Sequence, residues 1–245
     1  MRILTWLGML AMVSAAFGYG QPGAQPAISD AGARAEGLVL ARDLQMQRPE
    51  TNTVISGWLT IQTNRSQRVR VPLRFQISLT SSDWQSSYFT TGSNRDHEAS
   101  LVVVHIPGQP NQYTLSQSNL TVEQAIAPFA GSDFWLADLG LEFFHWPDQR
   151  LVKKEIRRGR ACRVLESVSA HPATNGYSRV VSWIDRETSG IVYAEAYDAQ
   201  GKLLKEFSPK EFKKVNGQWQ LQEMEMRNVQ TRSRSQIEFE VTTGP

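Results

Sequence analysis

The chain has 245 residues, with 26 Lys+Arg against 24 Asp+Glu, 40% apolar residues and 20% charged. That length suits one large domain or two small ones, and the composition excludes collagenous, coiled-coil, disulfide-scaffold and wholly disordered chains. A formal charge of +2 gives no electrostatic basis for a nucleic-acid binder, and a single cysteine, Cys162, excludes an internal disulfide or a multi-cysteine metal site.

The first element is a basic start (Met1-Arg2) followed by an apolar run from Ile3 to Phe17 and small residues up to Gly20. This is the order of a secretory signal. As a helix the run would span only ~22 Å at ~1.5 Å per residue, short of the ~30 Å hydrocarbon core of a bilayer. No cysteine lies near the expected cleavage region, so lipidation there is not expected. The chain is therefore expected to divide into a signal peptide (1–20), a flexible segment (21–28) and a single domain (29–245) that is exported.

Ser29 to Arg48 reads as a helix, capped by Ser29 or Asp30, with Leu38, Leu40 and Leu44 as apolar positions and Pro49 just beyond its end. Gly37 inside it costs about 1 kcal/mol relative to Ala. From Thr53 the periodicity becomes twofold. In Arg68–Leu79 the residues Val69, Val71, Leu73, Phe75, Ile77 and Leu79 alternate with polar ones, the signature of a sheet covered on one face. Pro72 cannot donate a ladder bond, so it marks an edge or a bulge. Further strands are expected at Val54–Thr63, Trp84–Thr91, Leu101–Ile106 and Tyr113–Ser116.

Two short helical pieces follow. Thr121 and Gln124 fit a capping box ahead of Ala125, Ile126 and Phe129, and Ser132-Asp133 can cap a second piece through Phe134, Trp135, Leu136 and Leu139. The last hundred residues read as a meander. Its strands are expected at Arg150–Arg157, Ala161–Val168, Ser178–Asp185, Ile191–Asp198, Leu203–Phe207, Glu211–Val215, Gln218–Arg227 and Ser235–Val241. Turn residues join them at Arg158-Gly159, Gln200-Gly201 and Asn216-Gly217. Within Gln218–Arg227 the apolar parity changes between Trp219/Leu221 and Met224/Met226, which implies a bulge.

Chemistry-bearing motifs are scarce. His97, His105, His145 and His171 form no metal-ligand spacing, Cys162 sits in a strand as a small hydrophobe, and no nucleophile elbow, phosphate loop or dinucleotide fingerprint occurs. Strand carboxylates such as Glu195, Glu223, Glu225, Glu238 and Glu240 define no acid–base pair by spacing alone. The expectation is a non-enzymatic protein without cofactor or metal. What the sequence offers is bulky apolar surface on an alternating sheet: Trp58, Phe75, Ile77, Trp183, Tyr193, Trp219, Leu221, Met224, Met226 and Phe239 are the candidate lining of an apolar-ligand cavity. The same residues could instead form a sealed core. A sheet of ten or more strands with few helices must close or curl, and a hollow interior is one solution.

Over Gly131 to Val241 the text Gly-Ser-Asp-Phe (131–134) with Asp138-Leu139, Arg160-Ala161-Cys162-Arg163-Val164-Leu165-Glu166, Tyr177 through Asp185, Tyr197-Asp198 with Gly201-Lys202, and Asn216-Gly217-Gln218-Trp219 leading to Met224 through Asn228 resembles the outer-membrane lipoprotein-sorting protein family, relatives of the LolA carriers. The resemblance implies a mainly β (α+β) fold: an incomplete, strongly curved antiparallel β half-barrel with an N-terminal helix and short lid helices. It also implies a periplasmic carrier of lipid or lipoprotein acyl chains, served by an inner-membrane exporter and an outer-membrane acceptor. Trp183, Trp219, Met224 and Met226 are the motif positions it carries to the cavity. Ile126, Phe129, Phe134 and Trp135 are the lid candidates. Two features depart from the family. Trp135-Leu136-Ala137 makes the lid segment more apolar, and the strand arginine that latches the lid could be Arg68, Arg70 or Arg74. The rival expectation is an envelope-sensing or protein-interaction module on the same fold.

Overall fold

A computed structural model describes residues 29–63, 67–92, 95–215 and 218–240. The expected signal segment, residues 21–28 and the Asn216-Gly217 turn lie outside the described residues. Ser29 caps α1 (Asp30–Gln45), accepting from the Gly32 amide at 3.2 Å, and the helix stops three residues short of its expected end.

Thirteen strands follow among the described residues: β1 (Thr53–Gln62), β2 (Arg68–Leu79), β3 (Trp84–Thr90), β4 (Ala99–His105), β5 (Gln112–Leu115), β6 (Ser118–Leu120), β7 (Asp148–Arg157), β8 (Arg160–Val168), β9 (Tyr177–Asp185), β10 (Ile191–Asp198), β11 (Leu203–Val215), β12 (Gln218–Asn228) and β13 (Ser233–Phe239). All pairings are antiparallel, in the order β6-β5-β4-β3-β2-β1-β13-β12-β11-β10-β9-β8-β7, so β6 and β7 are the two edges and the curved sheet does not close. Chain neighbours pair except β6 and β7, and β13 returns to lie beside β1.

Two departures from the sequence reading have local causes, and two expected features are present. β6 was not expected; Ser116 and Gln117, both at positive φ, make a tight turn without glycine between β5 and β6. The strands expected at Leu203–Phe207 and Glu211–Val215 are one strand, β11, because Pro209 falls where the register against β12 shifts. That shift, between Pro209 opposite Met224 and Phe212 opposite Leu221, is the bulge the parity change implies. Pro72 lies at the point where β2 extends past the end of β3. Arg68 to Val71 pair with β1 alone, and the Pro72 carbonyl accepts from the Thr91 amide at 3.3 Å just past the end of β3, so the missing N–H falls where the β2–β3 ladder ends.

The segment between β6 and β7 (121–147) crosses the concave face. The Thr121/Gln124 capping box forms, with the Thr121 amide donating to Gln124 Oε1 at 2.8 Å, yet it starts only one 3-10 turn, Glu123–Ala125. The second piece is one turn, α2 (Leu136–Leu139), and Ser132-Asp133 does not cap it. Asp138 accepts from the Trp135 amide at 2.8 Å, while Asp133 is drawn to the sheet by Ser233 and Ser235 hydroxyls at 2.6 and 2.8 Å.

Packing divides the concave side in two. Phe129, Phe134 and Leu136 from the crossing segment are sealed against β1–β5 and β13 in one cluster that includes Leu59, Leu101 and Ile237. Leu40, Ala41 and Leu44 of α1 join Phe143 and Phe144 over β7–β10 in a second. Helix α1 spans the opening. At one end Arg34 pairs with Asp148 (2.6 Å), Asp30 with Arg150 (3.0 Å) and Glu36 with Lys154 (3.3 Å); beyond the other end Arg48 donates to carbonyls of Thr80 and Asp83 in the β2–β3 turn. These pairs are largely exposed, and each contributes ~0–1 kcal/mol.

Gly37 is the contact point of α1 on the edge strand. A Cβ there would stand 2.6 Å from the Arg150 Cα and N and 2.7 Å from the Gln149 carbonyl carbon, all backbone. Gly37→Ala would gain about 1 kcal/mol of helix propensity but overpack the interface at a cost of about 1–3 kcal/mol. The expected result is net destabilisation of up to about 2 kcal/mol in urea denaturation; a net gain would mean α1 is not docked there.

Candidate functional site

Between the two packed clusters lies a cavity of about 400 Å³. Its walls are built by inward positions of successive strands: Phe75 and Ile77 of β2, Trp84, Ser86 and Tyr88 of β3, Ala194 and Ala196 of β10, Phe207 of β11, Leu221, Met224 and Met226 of β12, and Phe239 of β13. Leu44 of α1 and Phe134, Leu139, Leu141, Phe143 and Phe144 of the crossing segment cover it. The small side chains of Ala194 and Ala196 leave room under α1 that larger residues would fill. A volume near the low end of the ~300–1,000 Å³ typical of small-molecule sites suits one hydrocarbon chain.

The exposed lining residues are Arg158 in the β7–β8 turn and Lys210 in the β11 bulge, and Arg160, Thr188 and Ser189 are half-buried. Lys205 lies at the closed end, four residues along β11 from Pro209 and so about 13 Å away. Its side chain is 1% exposed. The ammonium sits 3.5 Å from Asp138 Oδ2 and 3.5 Å from the centre of the Trp135 ring, with Tyr177 at 5.3 Å. Burial pulls the Lys205 pKa down to about 8, opposed by the charges of Asp138 and Asp133. Asp138 also accepts from the Tyr177 hydroxyl at 2.9 Å, and Tyr177 stacks on Trp135 at 4.4 Å. This group ties the crossing segment to β9 and β11.

Next to the cavity, a polar network is buried beneath Gly140. Asn111 donates to the Gly140 carbonyl (2.8 Å) and to Glu142 Oε2 (3.0 Å), and the Tyr113 hydroxyl donates to the same carboxylate oxygen at 2.8 Å. Burial pushes the Glu142 pKa up to about 7, against the two hydrogen bonds that lower it. His105 stacks on Trp84 at 3.8 Å and shares a 3.0 Å hydrogen bond with Ser86; burial drives its pKa down to about 3. Among the described residues no group of three or more His, Cys, Asp or Glu could hold a metal. No helix there is long and apolar enough to cross a membrane.

Of the residues singled out from sequence, Phe75, Ile77, Leu221, Met224, Met226, Phe239 and Phe134 line the cavity together. Trp58 faces the convex side, donating to Glu240 at 3.0 Å beneath Arg70. Trp183 and Tyr193 also pack on the convex side, with Cys162, Val164 and Val181, and Arg157 lies 4.3 and 3.9 Å above their rings. Trp219 is half-buried two residues before Leu221, outside the lining. Ile126 and Phe129 lie away from the lining; Phe129 is fully buried in the first cluster, and Trp135 forms the wall behind Lys205. Arg70 pairs with Glu238 on the outer face, and no described contact joins Arg68, Arg70 or Arg74 to the crossing segment. Lys205 makes the ionic link there instead.

Lys205, Asp138, Trp84, Tyr88, Phe207 and the two alanines were not anticipated. Lys205 carried a readable signal, because it shares the inward parity of Phe207 in an apolar strand.

Two expectations follow. Removing one partner of a buried pair strands the other charge, so Asp138→Ala should cost about 3–5 kcal/mol in urea denaturation at neutral pH. Lys205→Met, which leaves Asp138 its Tyr177 and Trp135 donors, should cost distinctly less. Glu142, with its pKa raised by folding, contributes stability that is present below about pH 4.5 and is lost as pH rises through about 7. His105 acts in the opposite sense between about pH 3 and 6.5, so the comparison must be between variants. The stability of Glu142→Gln relative to wild type should rise between pH 4.5 and 7 by a few kcal/mol; a flat difference would show that Glu142 is charged in the fold.

Solved structures with the same fold include a DUF1329 family protein from Desulfovibrio piger (TM-score 0.67, 18% identity, covering 84% of this chain and 91% of that one). Others are an outer membrane lipoprotein-sorting protein domain from Vibrio parahaemolyticus (TM-score 0.70, 19%, 85% and 92%) and a LolA superfamily protein from Nitrosomonas europaea (TM-score 0.56, 15%, 85% and 92%). The architecture is LolA-like, as the motifs between Gly131 and Val241 imply. A search of curated proteins gives no match. A family model described as "Uncharacterized protein" matches residues 114–243, more than half of the chain, and the chain belongs to that family.

Proposed function

We propose that the protein is a periplasmic carrier that shields an acyl chain in the half-barrel cavity, for transfer of lipid or lipoprotein toward the outer membrane. The observation that carries this reading is the hollow itself: a sheet whose concave face is filled on one side by Phe129, Phe134 and Leu136 stays open over Met224, Met226, Phe207 and Ala196. A structural module would gain stability by closing that space, because apolar voids cost packing contacts. The fold shared with the lipoprotein-sorting domain and the LolA superfamily protein supports the same reading. The basic and apolar order of residues 1–17 supports export.

Uptake is measured with a fluorescent fatty-acyl probe, and lipid mass spectrometry of protein isolated from its native host reads the natural occupant. Wild type should bind the probe and carry about one lipid per chain. Met224→Glu places a charge on a half-buried lining position and should weaken uptake at least tenfold, about 1.4 kcal/mol, with circular dichroism unchanged. No uptake by wild type, together with a co-purified protein partner and no lipid, would replace carriage by sensing.

A further inference from the structure

Four of the described tyrosines donate to a carboxylate: Tyr113 to Glu142 at 2.8 Å, Tyr177 to Asp138 at 2.9 Å, Tyr193 to Glu206 at 2.7 Å and Tyr197 to Glu195 at 2.6 Å. Among the described residues, the Tyr88 hydroxyl has no hydrogen-bond partner. Burial alone holds its pKa above the ordinary phenol range, whereas at the other four the accepting carboxylate adds to the effect. A buried Tyr O–H ordinarily finds a partner, because an unmatched donor away from water carries its full desolvation cost.

Tyr88 is 7% exposed and lines the cavity. It shares the inward parity of Trp84 and Ser86 on β3. Its ring is held by Phe75, with centroids 4.9 Å apart, and by Phe129 of the crossing segment, edge on at 6.1 Å. The sealed side-chain polar atoms without a partner among the described residues are Asn111 Oδ1, Arg163 Nε and Ser182 Oγ. The Tyr88 oxygen is not one of them, so it keeps open surface, and the space its residue lines is the hollow. Ser86, on the same strand, is matched by His105 at 3.0 Å, and Lys205 at the closed end by Asp138.

We infer that Tyr88 is the hydrogen-bond donor to the carbonyl of a fatty acyl ester held in the cavity. This rests on the carrier reading and gives it a substrate class. A plain hydrocarbon leaves the phenol unmatched. A carboxylate would have to shed its water for a single neutral donor, which costs far more than burying a neutral carbonyl. An ester carbonyl needs one donor and receives one, while its alkyl chain takes the apolar wall of Phe207, Leu221 and Met224. The hydrogen bond also sets the depth of the chain, which apolar contacts, being non-directional, do not.

The test compares wild type with Tyr88→Phe, which keeps the ring and removes only the hydroxyl. Diphenylhexatriene, a fluorescent hydrocarbon without an acceptor, reports binding directly, and methyl laurate and laurate compete with it. The variant should lower the affinity for methyl laurate relative to diphenylhexatriene about five- to tenfold, and leave the laurate ratio unchanged. The carbonyl stretch of carbon-13-labelled methyl laurate should lie at lower wavenumber on wild type than on the variant, a shift that altered packing does not produce. Without ligand, the urea midpoint of the variant should equal or exceed that of wild type, because no hydrogen bond within the protein is lost. An unchanged ester ratio, a carbonyl band at one position on both proteins, or a lowered midpoint overturns the assignment. Loss of laurate in place of the ester gives Tyr88 to a buried acid and overturns the ester class. Failure of both diphenylhexatriene and methyl laurate to bind wild type overturns the carrier reading instead, so the two are told apart.

Discussion

A thirteen-stranded antiparallel sheet that curves without closing has one apolar concave face, and no second sheet to cover it. Everything else in the structure concerns how that face is kept from water. The chain covers it with what lies between β6 and β7 and with α1. The crossing segment is not a loose flap. Phe129 and Phe134 are almost wholly buried, and removing either from its site would cost on the order of 2–3 kcal/mol of burial alone. The segment fills the half of the trough under β1–β5 up to Leu139 and stops; beyond that point Phe143 and Phe144 pack over β7–β10. The Lys205–Asp138–Tyr177 group fixes where it stops, because moving Asp138 would leave an ammonium buried without its counter-charge.

The space left beyond that tie is bounded by residues that differ in size rather than polarity. Ala194 and Ala196 face Phe207, Met224 and Met226, so the volume exists because the β10 positions are small. A 16-carbon chain wholly removed from water is stabilised by roughly 12 kcal/mol at ~0.8 kcal/mol per CH₂, too much for rapid release. A cavity of about 400 Å³ that is not sealed leaves part of such a ligand in contact with water, which lowers that figure. For the proposed carrier, incomplete enclosure serves transfer better than a sealed pocket would.

Much of this was legible in the sequence wherever periodicity was unambiguous. The twofold alternation of Arg68–Leu79 fixed β2 to the residue and placed Phe75 and Ile77 inward, and the parity break in β12 located a bulge. Trp58 was misplaced although its parity was readable: Ile55, Leu59 and Ile61 set the inner face of β1, and Trp58 is out of phase with them. Trp183 offered no such signal. From Val180 to Asp185 every residue of β9 is buried, so both faces of the strand are covered and alternation disappears. The short lid helices were over-read because capping signals specify a first turn only. Phe129, Phe134 and Leu136 are long-range contacts with the sheet, and these, rather than helical propensity, set the backbone between them.

The cluster of Trp183, Tyr193 and Cys162 shows why bulky aromatic residues are a poor guide to a cavity in a sheet of this kind. On the convex face Trp183 and Tyr193 meet edge to face at 5.3 Å, Arg157 caps both rings, and their polar tips reach Glu155 and Glu206. Aromatic residues with polar handles are suited to a half-wet surface, where one side packs and the other is hydrated. Side chains without such handles, Met224, Met226, Leu221 and Phe207, make up much of the cavity wall, with Trp84 and Tyr88 of β3 the exceptions. The charged side chains of the lining fall outside the apolar wall, at its two ends. At the closed end Lys205 is held by Asp138 and two rings and has a structural role; at the other end Arg158 donates to the Pro209 carbonyl and lies 5.9 Å over the Tyr193 ring.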